Sequence, residues 1–176
     1  MVVAVPLVAG KGKTMKNALK KLTGYAALEG QWLRRRHFDE ELLAHVAERI
    51  KASENTHTGE LVLAIEAVMP AHEPDSYMRA LEVYGRLRIW DTPLNSGVLL
   101  YIALDQRAIE IIADRGIDAE NAQWEQVCTG LQTHFAQGDY IEGLFAAVDN
   151  IEQILKTHAP AGDTSVDLLP NEPVII

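Results

Sequence analysis

His57-Thr58-Gly59-Glu60-Leu61-Val62-Leu63-Ala64-Ile65-Glu66-Ala67 is the stretch whose reading decides the fold. After the turn at His57-Thr58-Gly59, Leu61, Leu63 and Ile65 alternate with Val62, Ala64 and Glu66, so both faces of the segment are largely apolar. An extended segment of that kind is a strand covered on two sides. A second one, Val98 to Leu104, follows the loop Asp91-Thr92-Pro93-Leu94-Asn95-Ser96-Gly97. Asp105-Gln106-Arg107 then makes a short turn into a third strand, Ala108 to Ala113, and a hairpin that short is antiparallel. A helical pattern separates the first two strands, so they are expected to run parallel with a right-handed crossover.

Working outward, Asp39 is placed to cap a helix whose apolar face is Leu42, Leu43, Val46 and Ile50. Pro70 and Pro74 punctuate a loop, and Glu73 or Asp75 opens the crossover helix, carrying Tyr77, Leu81, Tyr84 and Leu87. Two further helices close the domain. One has the stripe Trp124, Val127, Cys128, Leu131 and Phe135; the other follows an expected capping box, Asp139 and Glu142, with Ile141, Leu144, Phe145, Val148, Ile151 and Leu155. Trp90 and Trp124, each at an apolar helical stripe, read as core anchors. The order α-β-α-β-β-α-α predicts an α/β fold, a small mixed sheet of three or four strands flanked by helices.

The organisation is expected to be a basic helical arm over 1–38, one α/β domain over 39–158 and an extended tail over 159–176 that ends in Pro173-Val174-Ile175-Ile176. With 176 residues, 48% apolar and 23% charged, the chain has the size and balance of a single globular domain. Its one cysteine, Cys128, excludes an internal disulfide and lies in an apolar stripe, as a buried thiol does.

Charge is unevenly spread. Residues 1–37 carry Lys11, Lys13, Lys16, Lys20, Lys21, Arg34, Arg35 and Arg36 against Glu29 alone, a net of +7. Because the whole chain is −9, the remainder is −16. Such an arm suits an anionic lipid surface, its own acidic domain or an unidentified protein partner, whereas the acidic body argues against extended contact with nucleic acid. Met15, Leu19, Leu22, Tyr25, Ala26, Trp32 and Leu33 give the arm helical spacing, weakened at Gly24 and Gly30. No run approaches the ~20 apolar residues of a membrane span. Val2 to Ala9 is apolar but short, contains Pro6 and precedes its lysines, the reverse of a secretory signal. The expected location is therefore a bacterial cytoplasm, with the arm at the inner membrane face.

Familiar catalytic patterns do not appear. Gly12-Lys13-Thr14 resembles the end of a phosphate loop, but Leu7 stands where that loop needs glycine. No His-Glu-x-x-His and no Gly-x-Ser-x-Gly occurs.

Several short motifs do stand in a particular order. They are His57-Thr58-Gly59-Glu60, Trp90-Asp91, Asn95-Ser96-Gly97-Val98-Leu99-Leu100, Asp105-Gln106-Arg107 and Ala113-Asp114-Arg115-Gly116-Ile117. Phe135-Ala136-Gln137-Gly138-Asp139-Tyr140, with Gly143 beyond, completes the series. Over residues 40 to 157 this succession resembles the TPM-domain family. The resemblance implies two kinds of role. One is that of a thylakoid-lumen relative linked to photosystem repair, for which acid phosphatase activity and divalent-metal binding are proposed. The other is that of an accessory receptor subunit, which acts by interaction. Many bacterial members carry signal peptides and anchors; this chain resembles the short cytoplasmic type of unknown function. Where many members have Asp-Asn-Gly before the second strand, this chain has Asn95-Ser96-Gly97, one carboxylate fewer.

Two clusters are candidates for chemistry. Open α/β sheets bind ligands beyond the C-terminal ends of their parallel strands. Glu66 and Asp105 stand there as candidate ligands for calcium or magnesium, with Arg107 across the turn for a phosphate oxygen. The alternative is that Glu66 is solvated while Asp105 and Arg107 shape the turn. The second cluster, at the opposite strand end, has Asp91, Asn95 and Asp114 as candidate metal ligands and Arg115 and Ser96 for phosphate; these residues equally form turns. His57 is expected to cap the first strand. The leading expectation is a binding module without strong catalysis, and the second a divalent-metal-dependent phosphatase.

Overall fold

The computed structural model describes residues 3–4, 24–162 and 168–176. The lysines at 11, 13, 16, 20 and 21, and the Gly12-Lys13-Thr14 motif, lie outside them. The elements are β1 (Val3–Ala4), α1 (Tyr25–His37), α2 (Glu40–Glu54), β2 (Glu60–Glu66), α3 (Ser76–Arg86), β3 (Gly97–Ala103), β4 (Ala108–Ala113), α4 (Asn121–Gln137), α5 (Tyr140–His158) and β5 (Val174–Ile175).

The three expected strands form the centre of a mixed five-stranded sheet of order β1-β4-β3-β2-β5. β2 and β3 run parallel through seven paired positions, from Glu60 opposite Gly97 to Glu66 opposite Ala103. β3 and β4 are antiparallel, with Tyr101 opposite Glu110. Every residue of β2 and β3 is buried, which explains why their sequences read as unbroken apolar runs. Two short edge strands complete the sheet: Val3–Ala4 antiparallel to β4, and Val174–Ile175 parallel to β2. Val3–Ala4 is a strand too short for periodicity to reveal.

Helices cover the two faces unequally. Leu61, Leu63 and Ile65 of β2, with Val98, Leu100 and Ile102 of β3, point into a core shared with α2, α4 and α5, whose centre includes Ile50, Trp124, Leu144 and Ile151. The other face, with Val62, Ala64, Leu99 and Tyr101, is covered by α3 through Ala80, Val83 and Tyr84.

Local chemistry sets most helix starts. The Asp39 carboxylate accepts from the Leu42 amide at 2.9 Å, and that of Asp75 accepts from Tyr77 and Met78. The capping box expected at Asp139 and Glu142 does not form, since Asp139 makes no side-chain cap. A reciprocal contact occurs one helix earlier, where the Glu120 amide donates to Gln123 Oε1 at 3.1 Å. Trp90 is also corrected: it is 51% exposed, while Trp124 is a core anchor. Arg88 adopts φ 56°, reversing the chain after α3 so that Ile89 turns inward and Trp90 outward under the Arg88 guanidinium.

α1 is docked on the domain body. Ala26, Gly30 and Leu33 face inward, and Leu33 joins the main core. Gly30 is required by close approach: an added Cβ would collide with the Ala67 carbonyl oxygen and fall 3.0 Å from Asp105 Cβ. The following turn is held by rings. His37 stacks on Tyr140 at 4.2 Å, and Phe38 meets Phe135 and Tyr140 edge-on. The Phe135-to-Tyr140 junction therefore serves as the seat for the end of α1.

Candidate functional site

The densest buried polar grouping lies between the sheet and α3. Glu66 ends β2 on the α3 face, and Arg79 sits one turn into that helix. Arg79 donates to both oxygens of the Glu66 carboxylate, Nε to Oε2 at 2.9 Å and Nη2 to Oε1 at 2.7 Å. Both residues are under 5% exposed. The Tyr101 hydroxyl donates to the same Glu66 Oε2. Arg79 Nη1 also meets Glu82 at 2.7 Å, and Glu82 lies 3.7 Å from the exposed His72. A polar path thus runs from wholly buried Tyr101 to the surface.

These groups set each other's protonation. Hydrogen bonds from Arg79 hold the Glu82 carboxyl below its ordinary range. Arg79 is itself held more firmly protonated, first by Glu66. Burial, and then the Glu66 carboxylate, pushes the Tyr101 hydroxyl up.

Glu110 shares this side of the sheet. Paired with Tyr101 across the hairpin, it accepts a 2.5 Å hydrogen bond from Ser76 Oγ at the start of α3, and its Oε2 is buried without a partner. Burial raises its pKa to about 6 against the Ser76 bond, which lowers it. Burial therefore keeps this carboxyl protonated to a higher pH than an ordinary glutamate.

The residues nominated from the sequence are dispersed. Glu66 turns beneath α3. Asp105 accepts from the Met69 amide at 3.2 Å and from Gln106 Nε2 at 2.6 Å. Arg107, in a left-handed turn at φ 53°, reaches across to Glu29 of α1. In the second group, Asp91 forms an exposed pair with Arg88. Asn95, Asp114 and Arg115 do come together: Arg115 Nη2 donates to Asn95 Oδ1 at 3.1 Å, and its amide to Asp114 Oδ1 at 2.7 Å. Ser96 is buried, its amide donating to Thr92 Oγ1 and its hydroxyl to the Thr58 carbonyl. The Arg115–Asn95 bond and a 2.8 Å bond from the Gly116 amide to the Asn95 carbonyl fasten the 92–96 loop to the 114–116 turn, where Gly116 is needed because a Cβ would strike the Leu94 and Asn95 carbonyls.

Nor do these residues fit a divalent cation. Among the described residues no three His, Cys, Asp or Glu side chains gather as a cage for calcium or magnesium. Glu66 is already neutralised by a guanidinium, and Asp114 and Asn95 serve Arg115.

Three contributors were missed from the sequence: Arg79, Tyr101 and Glu110. Glu110 was detectable, because a charge inside the otherwise apolar run Ala108 to Ala113 needs a partner. His57 is a correction of another kind. It does not cap β2; its Nε2 lies 2.6 Å from Glu152 Oε2 of α5, which also accepts from Ser53. Both carboxylate contacts converge on one oxygen, so the histidine is not placed between a hydroxyl and an acid as a nucleophilic triad requires. Burial pushes the Cys128 thiol up to about 12, which makes it inert.

Residues 36–154 match the model of the TPM domain family, about two-thirds of the chain and the whole sheet core from β2 to β4. The chain belongs to the TPM domain family. This TPM domain is also similar to the BA42 protein of the psychrophilic bacterium Bizionia argentinensis, solved by NMR. The TM-score is 0.69 and the identity 26%, covering 78% of this chain and 94% of the other. No curated protein matches. Among the described residues of this TPM domain, no helix is long and apolar enough to cross a membrane.

Proposed function

We propose that this TPM domain is a binding module that engages an anionic lipid surface through its N-terminal arm. The observation that carries the reading is the outer face of α1. Tyr25, Leu28 and Trp32 are 56%, 68% and 55% exposed, large apolar side chains in a row on a docked helix. At about 100° per residue, they share one stripe with exposed Arg35 and Arg36. The Arg36 guanidinium lies 5.4 Å from the centre of the Trp32 ring. Aromatic and aliphatic side chains flanked by arginines are the chemistry of a helix lying in a lipid headgroup layer. The arm's net charge of +7 supplies long-range attraction, at about 1 kcal/mol for each cation near an anionic surface.

Phosphate hydrolysis is the weaker reading. It needs carboxylates or a metal positioned around an attacking water, and the nominated carboxylates are engaged in separate internal contacts.

Flotation with phosphatidylserine-containing vesicles tests the proposal. The full chain is expected to float with them, to stay down with neutral phosphatidylcholine vesicles, and to be released by high salt. Leu28→Glu with Trp32→Glu is expected to abolish flotation while preserving the unfolding transition. Equal recovery of both proteins, or no flotation of either, overturns the reading.

A further inference from the structure

The edge of β2 away from β3 is met in an unusual way. β2 pairs with β3 at seven positions but with β5 at only two, Ala64 opposite Val174 and Ile65 opposite Ile175. Even-numbered residues direct their backbone groups to the β3 side: the Glu60 amide donates to the Ser96 carbonyl, and the Leu104 amide to the Glu66 carbonyl. Strand alternation then turns the odd-numbered residues outward. The Ile65 carbonyl accepts from the Ile176 amide at 3.0 Å, and the Ala67 amide donates to the Ile176 carbonyl at 3.4 Å. Leu61 and Leu63 present their backbone groups to the same edge, further down.

Alternating side chains of the incoming segment enter different cores. Val174 and Ile176 pack against the α3-side cluster, and Ile175 against the cluster beneath α2 and α5. Below them, Leu169 packs on the α3 side while its amide donates to Glu60 Oε2 at 2.7 Å. Main-chain pairing with alternate side chains in separate pockets is how sheets recognise extended peptides by strand addition. The pairing is also parallel and comes from a remote part of the chain, so its geometry does not depend on a connecting turn.

We infer that the outer edge of β2 is an acceptor for an extended peptide segment of a partner protein, which the chain's own 168–176 segment occupies as a tethered competitor. The segment in place defines the chemistry. The ligand runs parallel to β2, carries β-branched apolar residues opposite Ala64 and Ile65, and donates an amide to the Glu60 carboxylate. Among the described residues the ladder with β5 covers two positions, shorter than an ordinary strand, and a ligand that also paired with Leu61 and Leu63 would make a longer one.

A labelled peptide, Leu-Leu-Pro-Asn-Glu-Pro-Val-Ile-Ile, identical to residues 168–176, tests this by fluorescence anisotropy. It is titrated onto the full chain and onto the full-length double variant Val174→Asp, Ile176→Asp, whose own segment is expelled. Binding at least tenfold tighter to the variant is expected, and no binding of a peptide carrying the same two substitutions. Absence of binding to a variant that still unfolds cooperatively overturns the inference. Concentration-dependent dimers of the unaltered chain that vanish in the variant assign the edge to exchange between copies, and also overturn it.

Hydrogen exchange on the unaltered chain gives a reading that needs no variant. The Ile176 and Ala67 amides are expected to exchange at least a hundredfold faster than the Leu104 amide, on the opposite side of β2. Equal protection means that the segment never leaves, and the inference falls.

Discussion

The two faces of the sheet are built from the same three strands and solve burial differently. Towards α2, α4 and α5, the strands offer only Leu, Ile, Val and Ala, and several helices exclude water from them. Towards α3, the same strands place Glu66, Tyr101 and Glu110 under one helix that brings its own Arg79 and Ser76. On the first face stability comes from area and packing density. On the second it depends on each charge keeping its partner, because a buried group without one carries its full desolvation cost. Apart from the buried His57–Glu152 contact beside α5, the first face is therefore indifferent to pH and intolerant of cavities, and the α3 face is the reverse.

The largest test of that contrast is Arg79→Met. It leaves Glu66 buried without its counter-charge, held by Tyr101 alone, with an expected loss of about 3–5 kcal/mol in denaturant unfolding. Adding Glu66→Gln should restore part of the loss, since the second change removes the stranded charge. A double variant no more stable than Arg79→Met would show that the guanidinium acts through packing alone. Leu100→Ala, on the opposite face, is expected to cost about 3 kcal/mol by leaving a cavity, equally at pH 5 and pH 7.5. A pH-dependent cost would erase the distinction between the faces.

The smallest effect is the most specific. The Glu110 carboxyl titrates near 6 in the folded chain, above its ordinary 4.5. Folding therefore favours the protonated form, and this contribution is full below pH 4.5 and lost as pH rises through 6. Comparing the chain with Glu110→Gln, the stability difference should move by about 1–2 kcal/mol between pH 4 and pH 7.5, with the native chain relatively better at low pH. A constant difference would mean that Glu110 stays ionised throughout.

The contrast also explains what the sequence revealed. Strands buried on both sides advertise themselves, so β2, β3, β4 and the parallel pairing of β2 with β3 were legible from apolar runs and turn residues. The Asp39 and Asp75 caps were legible for the same reason: their chemistry is local. Val3–Ala4 was not, because a two-residue strand exists only through its partner. Trp90 was misread because its exposure follows from one left-handed residue, Arg88, that composition does not announce. Glu66 was nominated as a metal ligand, with a solvated strand end as the alternative, and it lies instead buried against a guanidinium. Its true partner, Arg79, lay in a helix whose pattern gave no reason to send a guanidinium inward. His57 went to Glu152, 95 residues away, a distance at which periodicity is silent.

Sequence separation also bears on how the chain reaches this structure. Glu66 and Arg79 are 13 positions apart, whereas His57 with Glu152 and Arg49 with Asp149 close loops of 95 and 100. Closing the shorter loop is entropically easier by about 1.8 kcal/mol. The strand–helix unit ending at Arg79 can therefore assemble while the C-terminal helices are still being synthesised. The Glu66–Arg79 pair is thus a link within one strand–helix unit, whereas the contacts to α5 join distant parts of the chain.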